Sequence, residues 1–279
     1  MTAGALIIER IRAGATVQDG GRPGHMHEGV PPGEPLVPEL FAAANASLGN
    51  EPGAAALELP NADALFRVAG EVTVSIDGRP RTLTGSERFQ LGAEGEAVRY
   101  VALPGGVDVP VVLGGRGTLW VATMGGHEGR ILKSGDELRP RLDRPATVTD
   151  VHPALSRSEA LIRVVPGPDS FDRAVLDAFL SSPFRVGAAG RVGMRLVGTR
   201  LPVEGIDADG SRPLVRGAIQ ITTDGWPIVM GPDHPTTGGY RVIATIISAD
   251  LGLLARRPAG AEVRFTAVSA LPPPSLAAP

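Results

Sequence analysis

The chain has 279 residues, of which 43% are hydrophobic and 20% are charged. This length and balance allow one large or two medium domains with a sizeable core. The net charge of −3 argues against strong binding to nucleic acid or to an anionic membrane. The absence of cysteine excludes disulfides and thiolate catalysis. No signal peptide or membrane-spanning stretch is predicted, so the cytoplasm is the expected location.

Short apolar runs alternate with turn signals and predict many short strands. In chain order, strands are predicted at residues 6–11, 66–76, 82–91, 98–103, 109–113, 161–165, 194–201, 218–222, 227–230, 240–247 and 262–268. The pairs Asp77-Gly78 and Asp224-Gly225 predict hairpin turns, because both residue types tolerate positive φ.

Helices are predicted only at residues 38–48, 170–180 and 250–256, with Asp169 as the expected N-cap of the second. A polar, weakly periodic stretch places a domain boundary near residue 155. The sequence therefore predicts a mainly β protein with barrel-like architecture. Two β-rich domains, 1–155 and 156–270, are expected to precede a disordered tail, 271–279.

Two glycine-rich loops are candidates for anion binding. Gln18, Asp19 and Arg22 surround one glycine turn, and Arg116 and Thr118 belong to a second. Exposed backbone N–H groups beside an arginine can hold a carboxylate or phosphate. The alternative is that both loops are structural, the first with an Asp19–Arg22 ion pair. The sequence contains no P-loop, nucleophile elbow or H-E-x-x-H motif.

Other polar residues of the first half have weaker signals. His25 and His27 alternate, but two histidines without a third ligand do not predict a metal site. Asn45 lies near the end of the first predicted helix. Glu58 follows an apolar run, where burial would suit it to act as a general base, although a glutamate on an edge strand is the simpler alternative.

The segment at residues 233–240 carries the strongest functional signal of the chain. Its residues of interest are Thr236, Thr237, Gly238, Gly239 and Tyr240, with Gln220 on the preceding hairpin. Adjacent glycines let the backbone approach a ligand closely, and threonine hydroxyls can donate to an oxyanion or phosphate. The alternative is a turn that its threonines merely cap.

In this order, the segments resemble one family. Its Q-D-x-G-R-x-G, A-N-x-x-x-G-N, A-x-L-E, A-x-x-G-G-x-D-V-P and G-G-x-E-G-R segments match residues 18–24, 44–50, 55–58, 102–110 and 125–130, followed by Gly135-Asp136. G-A-I-Q, D-G-x-P-I-V and T-T-G-G-Y match 217–220, 224–229 and 236–240. The chain thus resembles, over about residues 5–268, the family of the 5-oxoprolinase C subunit. This family is also called the biotin-dependent carboxyltransferase or allophanate hydrolase subunit 2 family.

The resemblance implies a cyclophilin-like β-barrel and a component of an ATP-dependent 5-oxoprolinase, which opens 5-oxo-L-proline to L-glutamate together with subunits A and B. ATP would act through the complex. The implied catalytic residues are Asp19, Arg22, Thr236 and Thr237. The implied substrate-binding residues are Gln18, His27, Asn45, Glu58, Arg116, Thr118, Gln220, Gly238, Gly239 and Tyr240. Two alternatives remain: a carboxyltransferase component that meets biotin, as in urea carboxylase, and a non-catalytic regulator of a kinase inhibitor.

The sequence departs from the family pattern at several polar positions. Val37 stands where an acidic residue is usual, and Gly115 and Gly117 replace the two serines of a G-S-x-S-T loop. Pro235 replaces a frequent glutamine. These losses are compatible with a shifted substrate or with a protein whose partner holds most of the chemistry.

Overall fold

The structure is a computed structural model that describes residues 4–12, 14–93, 95–141, 147–153, 161–203 and 210–268. The expected boundary near residue 155 and the expected tail at 271–279 lie outside the described residues, so the domain division stays a prediction. None of the helices within the described ranges is long and apolar enough to cross a membrane.

The first half of the chain consists mainly of strands. Its elements are β1 (Ala5–Ile11), β2 (Thr16–Gln18), α1 (Pro38–Ala46), β3 (Ala56–Pro60), β4 (Asp63–Ala69), β5 (Val72–Ile76), β6 (Arg79–Leu83), β7 (Arg88–Gly92), β8 (Val98–Ala102) and β9 (Glu137–Leu138). They form a four-stranded sheet, β7-β4-β1-β9, and a five-stranded sheet, β2-β3-β8-β5-β6. Apolar residues of both sheets share one core, as expected when two sheets bury their facing sides.

The helix α1 covers the other face of the five-stranded sheet. Leu40 and Phe41 pack there with Val98 and Tyr100, and the rings of Phe41 and Tyr100 meet edge to face. Side chains alternate across a strand, so Leu57 and the other inward residues of β3 face the first core while Glu58 faces away from it. This alternation positions Glu58 beside the second half of the chain.

The second half forms a nearly closed barrel. Its elements are β10 (Ile162–Pro166), α2 (Arg173–Ser181), β11 (Phe184–Ala189), β12 (Gly193–Gly198), β13 (Arg212–Pro213), β14 (Ala218–Ile221), β15 (Pro227–Met230), β16 (Thr237–Gly238), β17 (Arg241–Ile246), α3 (Leu251–Ala255), β18 (Glu262–Val263) and β19 (Phe265–Ala267). The sheet order is β18-β11-β12-β15-β14-β17-β10-β19. Only Arg264 separates the two end strands, so one chain segment pairs at both ends of the sheet and nearly closes it.

These findings confirm the predicted mainly β class with barrel architecture and few short helices. The Asp77-Gly78 turn joins β5 to β6 as predicted, with φ values of 50° and 95°. Four strand predictions were wrong. The stretch 82–91 contains the end of β6, a turn at Gly85 with a φ of 65°, and β7, and the stretch 262–268 is divided at Arg264 into β18 and β19. The stretch 66–76 is two strands rather than one, because Gly70 turns the chain with a φ of 81°. Residues 109–113 contribute only an isolated bridge between Val112 and Gly115.

The predicted cap of the second helix was also wrong. The helix α2 begins three residues later than expected, with Asp172 as its N-cap residue. The carboxylate of Asp169 instead accepts a hydrogen bond of 2.7 Å from the backbone N–H of Val242 and pairs with Arg212. A tertiary partner on β17 therefore outcompeted the local capping interaction.

Candidate functional site

A buried charge network joins the two halves of the chain. Arg191, which precedes β12, donates to Glu58 on β3 at 2.6 Å and to both carboxylate oxygens of Asp233 at 2.7 and 2.8 Å. It also donates to the carbonyl oxygen of Glu34. All three side chains of the charge network are 4% exposed or less. We refer to Glu58, Arg191 and Asp233 as the buried triad.

The second oxygen of Glu58 is also fully engaged. It accepts hydrogen bonds from the backbone N–H of Leu36 at 2.7 Å and from the hydroxyl of Tyr100 at 2.6 Å. Glu58 and Tyr100 lie directly opposite on neighbouring strands, so their side chains share one face. Burial and the Glu58 carboxylate raise the pKa of Tyr100 well above its usual value, which keeps its hydroxyl a hydrogen-bond donor. Burial lowers the pKa of Arg191, but Glu58 and Asp233 outweigh it, and the net shift is upward.

The first glycine turn is interlocked with the second. Asp19 directs its carboxylate to the backbone N–H groups of Gly21, at 2.9 Å, and of Arg116. Arg22 donates to the carbonyl oxygen of Gly117. The amides that sequence reasoning offered to a substrate anion are therefore occupied by the carboxylate of Asp19 itself. Arg116, in turn, directs its guanidinium to the carbonyl oxygen of Val109.

Close packing around this turn depends on glycine. A Cβ atom added to Gly117 would lie 2.8 Å from the Oε1 atom of Gln18, and one added to Gly125 would lie 2.1 Å from the carbonyl oxygen of Gly117. The serine-to-glycine departure at 117 thus fits a contact that a side chain would disturb. Among the described residues, four buried side-chain polar atoms have no hydrogen-bond partner, and three belong here: Gln18 Oε1, Arg22 Nη1 and Thr118 Oγ1.

The turn and the segment at 233–240 are connected indirectly. The backbone of Arg22 donates to the carbonyl of Pro32 at 2.7 Å, and Gly33 donates to that of Pro232 at 3.1 Å. Burial lowers the pKa of Arg22, while the carboxylates of Asp19 and Asp233 act in the opposite direction. Arg22 therefore lies within electrostatic range of the buried triad.

The segment at 233–240 borders an open cavity of about 420 Å³ on the outside of the barrel. Thr237, Gly238, Gly239, Tyr240 and Gln220 line it, together with Pro235. Gln220 donates to the carbonyl oxygen of Tyr240 at 2.9 Å. A Cβ atom on Gly238 would lie 2.8 Å from the Cδ1 atom of Leu214 and 3.0 Å from the Nε2 atom of Gln220, so a side chain here would displace both of these side chains. We call this cavity the barrel pocket.

Six predicted substrate-binding residues do not line the barrel pocket: Gln18, Glu58, Arg116 and Thr118, whose contacts are described above, and His27 and Asn45. His27 belongs to a short 3-10 turn, and its side chain is 77% exposed. Asn45 is buried at the end of α1, where it donates to Ala54 and accepts from Asn50 at 2.9 Å each. Its hydrogen bonds thus brace the loop that follows α1. Among the described residues, no group of three or more potential metal ligands lies together.

Sequence reasoning did not select Arg191 or Asp233 as site residues, although Asp233 is the first residue of the segment at 233–240. It also missed the pairing inside two other motifs. Arg130, which ends the G-G-x-E-G-R segment, holds Asp136 with two hydrogen bonds of 2.8 Å. The sequence showed only that Arg130 and Asp136 belong to motifs. It could not show that they pair, because pairing depends on how the loop folds.

Comparison with known proteins places this architecture in one family. The family model described as "Carboxyltransferase domain, subdomain A and B" matches residues 28–267. The chain is 35% identical to the 5-oxoprolinase C subunit of Escherichia coli, over 94% of this chain and 92% of that protein. It is 28% identical to urea amidolyase of Lachancea kluyveri, over 91% of this chain but only 16% of that protein.

The fold agrees with this assignment. The crystal structure of Kluyveromyces lactis urea amidolyase superposes with a TM-score of 0.83 at 24% identity, covering 96% of this chain and 19% of that one. The fold and the matched motifs therefore define a carboxyltransferase-type β protein. The chain belongs to the carboxyltransferase-domain family that includes the 5-oxoprolinase C subunit, which confirms the resemblance carried by the motifs.

Proposed function

We propose that the chain is the C subunit of an ATP-dependent 5-oxoprolinase and works in the cytoplasm with subunits A and B. One observation carries this proposal: the 35% identity to the E. coli protein extends over nearly the full length of both chains. The urea amidolyase relative is several times longer than the matched region. The C subunit, with the higher identity, is therefore the better counterpart.

The substrate is assigned to the barrel pocket. Thr237 supplies a hydroxyl, Gly238 and Gly239 supply accessible backbone, and Gln220 and Tyr240 supply polar side chains beside them. Thr236, predicted as a catalytic residue, is not among the residues that line the pocket. Opening an unstrained lactam at neutral pH needs an activated carbonyl, and donors held near the developing oxyanion stabilise it. The side chains of Gln18, Asp19, Arg22, Arg116 and Thr118 are proposed to hold the neighbouring loops in place.

ATP is assigned to another subunit of the complex. Phosphorylation of the lactam oxygen by ATP would supply the activation. The glycine turn at 18–22 does not fit a phosphate, because Asp19 occupies the amides of Gly21 and Arg116. We therefore assign no phosphoryl-transfer step to residues of this chain.

The decisive experiment is co-expression of this chain with candidate subunits A and B, followed by an assay of ATP-dependent glutamate release from 5-oxo-L-proline. We expect release only when all three are present. Thr237→Val should lower turnover about 10- to 100-fold if the hydroxyl stabilises the reacting oxygen. Thr82→Val removes a comparable exposed strand threonine and should leave turnover unchanged. Equal rates for the two variants would contradict the role of Thr237.

A second candidate function is carboxyl transfer from carboxybiotin. It is favoured by the description of the matching family model and by the urea amidolyase relatives. In that case the complete mixture of the three proteins would release no glutamate, and ATP consumption would depend on a biotin carboxylase and carrier. The third expectation, a regulator of a kinase inhibitor, predicts neither activity.

A further inference from the structure

The barrel pocket contains a charged residue that is not among the predicted site residues. Arg195 lies on β12, pairs across the sheet with Ile228 on β15, and Ile228 in turn pairs with Gln220 on β14. Directly opposite residues of antiparallel strands point to the same face. Arg195, Ile228 and Gln220 therefore form one row, and all three line the pocket.

The neighbours of this row confirm which face it occupies. Met194 and Leu196 flank Arg195 and belong to the barrel core, as do Ile219 and Ile221 on either side of Gln220. Arg195 itself is exposed, whereas Gln220 is 5% exposed. The row thus lies on the outer surface of the barrel, with the pocket above it and the hydrophobic core below.

The two polar ends of the row have free hydrogen-bonding capacity. Gln220 uses its Nε2 atom to donate to Tyr240, which orients its Oε1 atom as an unused acceptor within the described structure. Arg195 makes no ion pair or side-chain hydrogen bond among the described residues; Asp224 interacts with it only electrostatically. By contrast, the arginines of the buried triad and of the Arg130–Asp136 pair are fully occupied.

The rest of the pocket is apolar. Val192, Leu214, Ile228, Met230 and Pro235 form its walls. A volume of about 420 Å³ falls in the range of small-molecule sites, which combine apolar walls with a few polar groups that fix orientation. Across two strand spacings, the backbones of Arg195 and Gln220 are separated by about 10 Å. A compact ligand can therefore reach both side chains at once.

We propose that Arg195 is the carboxylate anchor of the barrel pocket, which takes a small carboxylate whose amide or lactam N–H donates to Gln220. The guanidinium holds the carboxylate by charge-assisted hydrogen bonds, and the apolar walls contact the short carbon skeleton. This inference rests on the proposed function, for which 5-oxo-L-proline is the ligand of this class. The inference adds that this chain, rather than another subunit, binds the carboxylate of the substrate, and that Arg195 does so.

Binding is tested by calorimetric titration of the purified full chain, alone and with subunits A and B, using three probes. These are 5-oxo-L-proline, 2-pyrrolidinone, which lacks the carboxylate, and cyclopentanecarboxylate, which lacks the lactam N–H. Arg195→Gln should raise the Kd for 5-oxo-L-proline about tenfold or more, the usual effect of losing a hydrogen bond to a charged group. It should leave the Kd for 2-pyrrolidinone unchanged, and Arg195→Lys should recover part of the loss.

The matched control is Arg185→Gln, which changes an exposed arginine on β11 of the same barrel outside the pocket. It should bind all three probes like the unaltered chain. Equal Kd values for Arg195→Gln and Arg185→Gln, or no saturable binding in either preparation, would overturn the anchor. If the complex releases glutamate and Arg195→Gln does not raise its KM, the anchor fails while the function stands. If no glutamate is released but binding depends on Arg195, the function fails while the anchor stands.

Discussion

The buried triad and the barrel pocket each contain an arginine near polar side chains. They differ in whether that arginine is hydrogen-bonded within the protein. In the triad, every hydrogen bond of Arg191 goes to Glu58, Asp233 or a backbone carbonyl, and water has almost no access. In the pocket, Arg195 and the Oε1 atom of Gln220 have no partner among the described residues.

This difference separates structural residues from ligand-binding residues within one set of family motifs. A polar group with all its hydrogen bonds satisfied inside the protein has none left for a substrate. An exposed guanidinium and a free acceptor at a cavity wall remain available for one. Glu58, Asn45 and Asp19 thus have the contacts of positioning residues, and Gln220, Thr237 and Tyr240 have those of a binding surface.

The largest expected effect comes from breaking the triad. Arg191→Met leaves two buried carboxylates unpaired and should lower the free energy of unfolding by about 3–5 kcal/mol. Denaturant unfolding measures the loss. Arg191→Lys keeps the charge but cannot reproduce the planar set of four hydrogen bonds, so it should lose less. A loss below about 1 kcal/mol for Arg191→Met would mean that the triad is not closed to water.

An intermediate effect is expected at Asp136, a carboxylate held by Arg130 on the loop beside the glycine turns. Burial raises its pKa, but hydrogen bonds from Arg130 and from the Lys133 amide outweigh this, and the net shift is downward. The pairing therefore stabilises the fold above the ordinary carboxyl pKa of about 4 and is lost as the pH falls below it.

Asp136→Asn should accordingly cost about 2 kcal/mol at neutral pH, the value of a hydrogen bond to a charged group. The difference in free energy of unfolding between Asp136→Asn and the unaltered chain should shrink as the pH falls below about 4. Unfolding curves measured from pH 7 to pH 3 test this trend. A difference that stays constant across that range would show that ionisation of Asp136 contributes nothing.

The smallest effect on stability is expected in the pocket, where the effect on binding should be largest. Arg195→Gln removes an exposed, unpaired side chain and should change the free energy of unfolding by less than about 0.5 kcal/mol. Arg173→Ala, which breaks an exposed pair with Asp177 on α2, gives a reference of the same size. A large destabilisation by Arg195→Gln alone would show that Arg195 is a structural residue and not a ligand-binding one.

Much of the fold could be predicted from local sequence. The helix α1, most strands of the barrel and the Asp77-Gly78 hairpin follow from apolar periodicity and from residues that tolerate positive φ. The failures have specific physical causes. Gly70 divides one predicted strand in two, and Asp169 finds a partner on β17 in place of the N-terminus of α2. In both cases, a contact or turn outside the local pattern decided the outcome.

By itself, the sequence determined the β-rich class, the absence of cysteine chemistry and the family. Strand periodicity is a local pattern, and the order of motifs can be read along the chain without knowing how it folds. The tertiary structure alone decided which polar residues are satisfied and which are free. Arg191 meets Glu58 across 133 positions of the chain, and Arg116 meets Asp19 across 97. Such partners follow from sheet register and barrel closure, and a one-residue shift in register would turn Arg195 and Gln220 into the core.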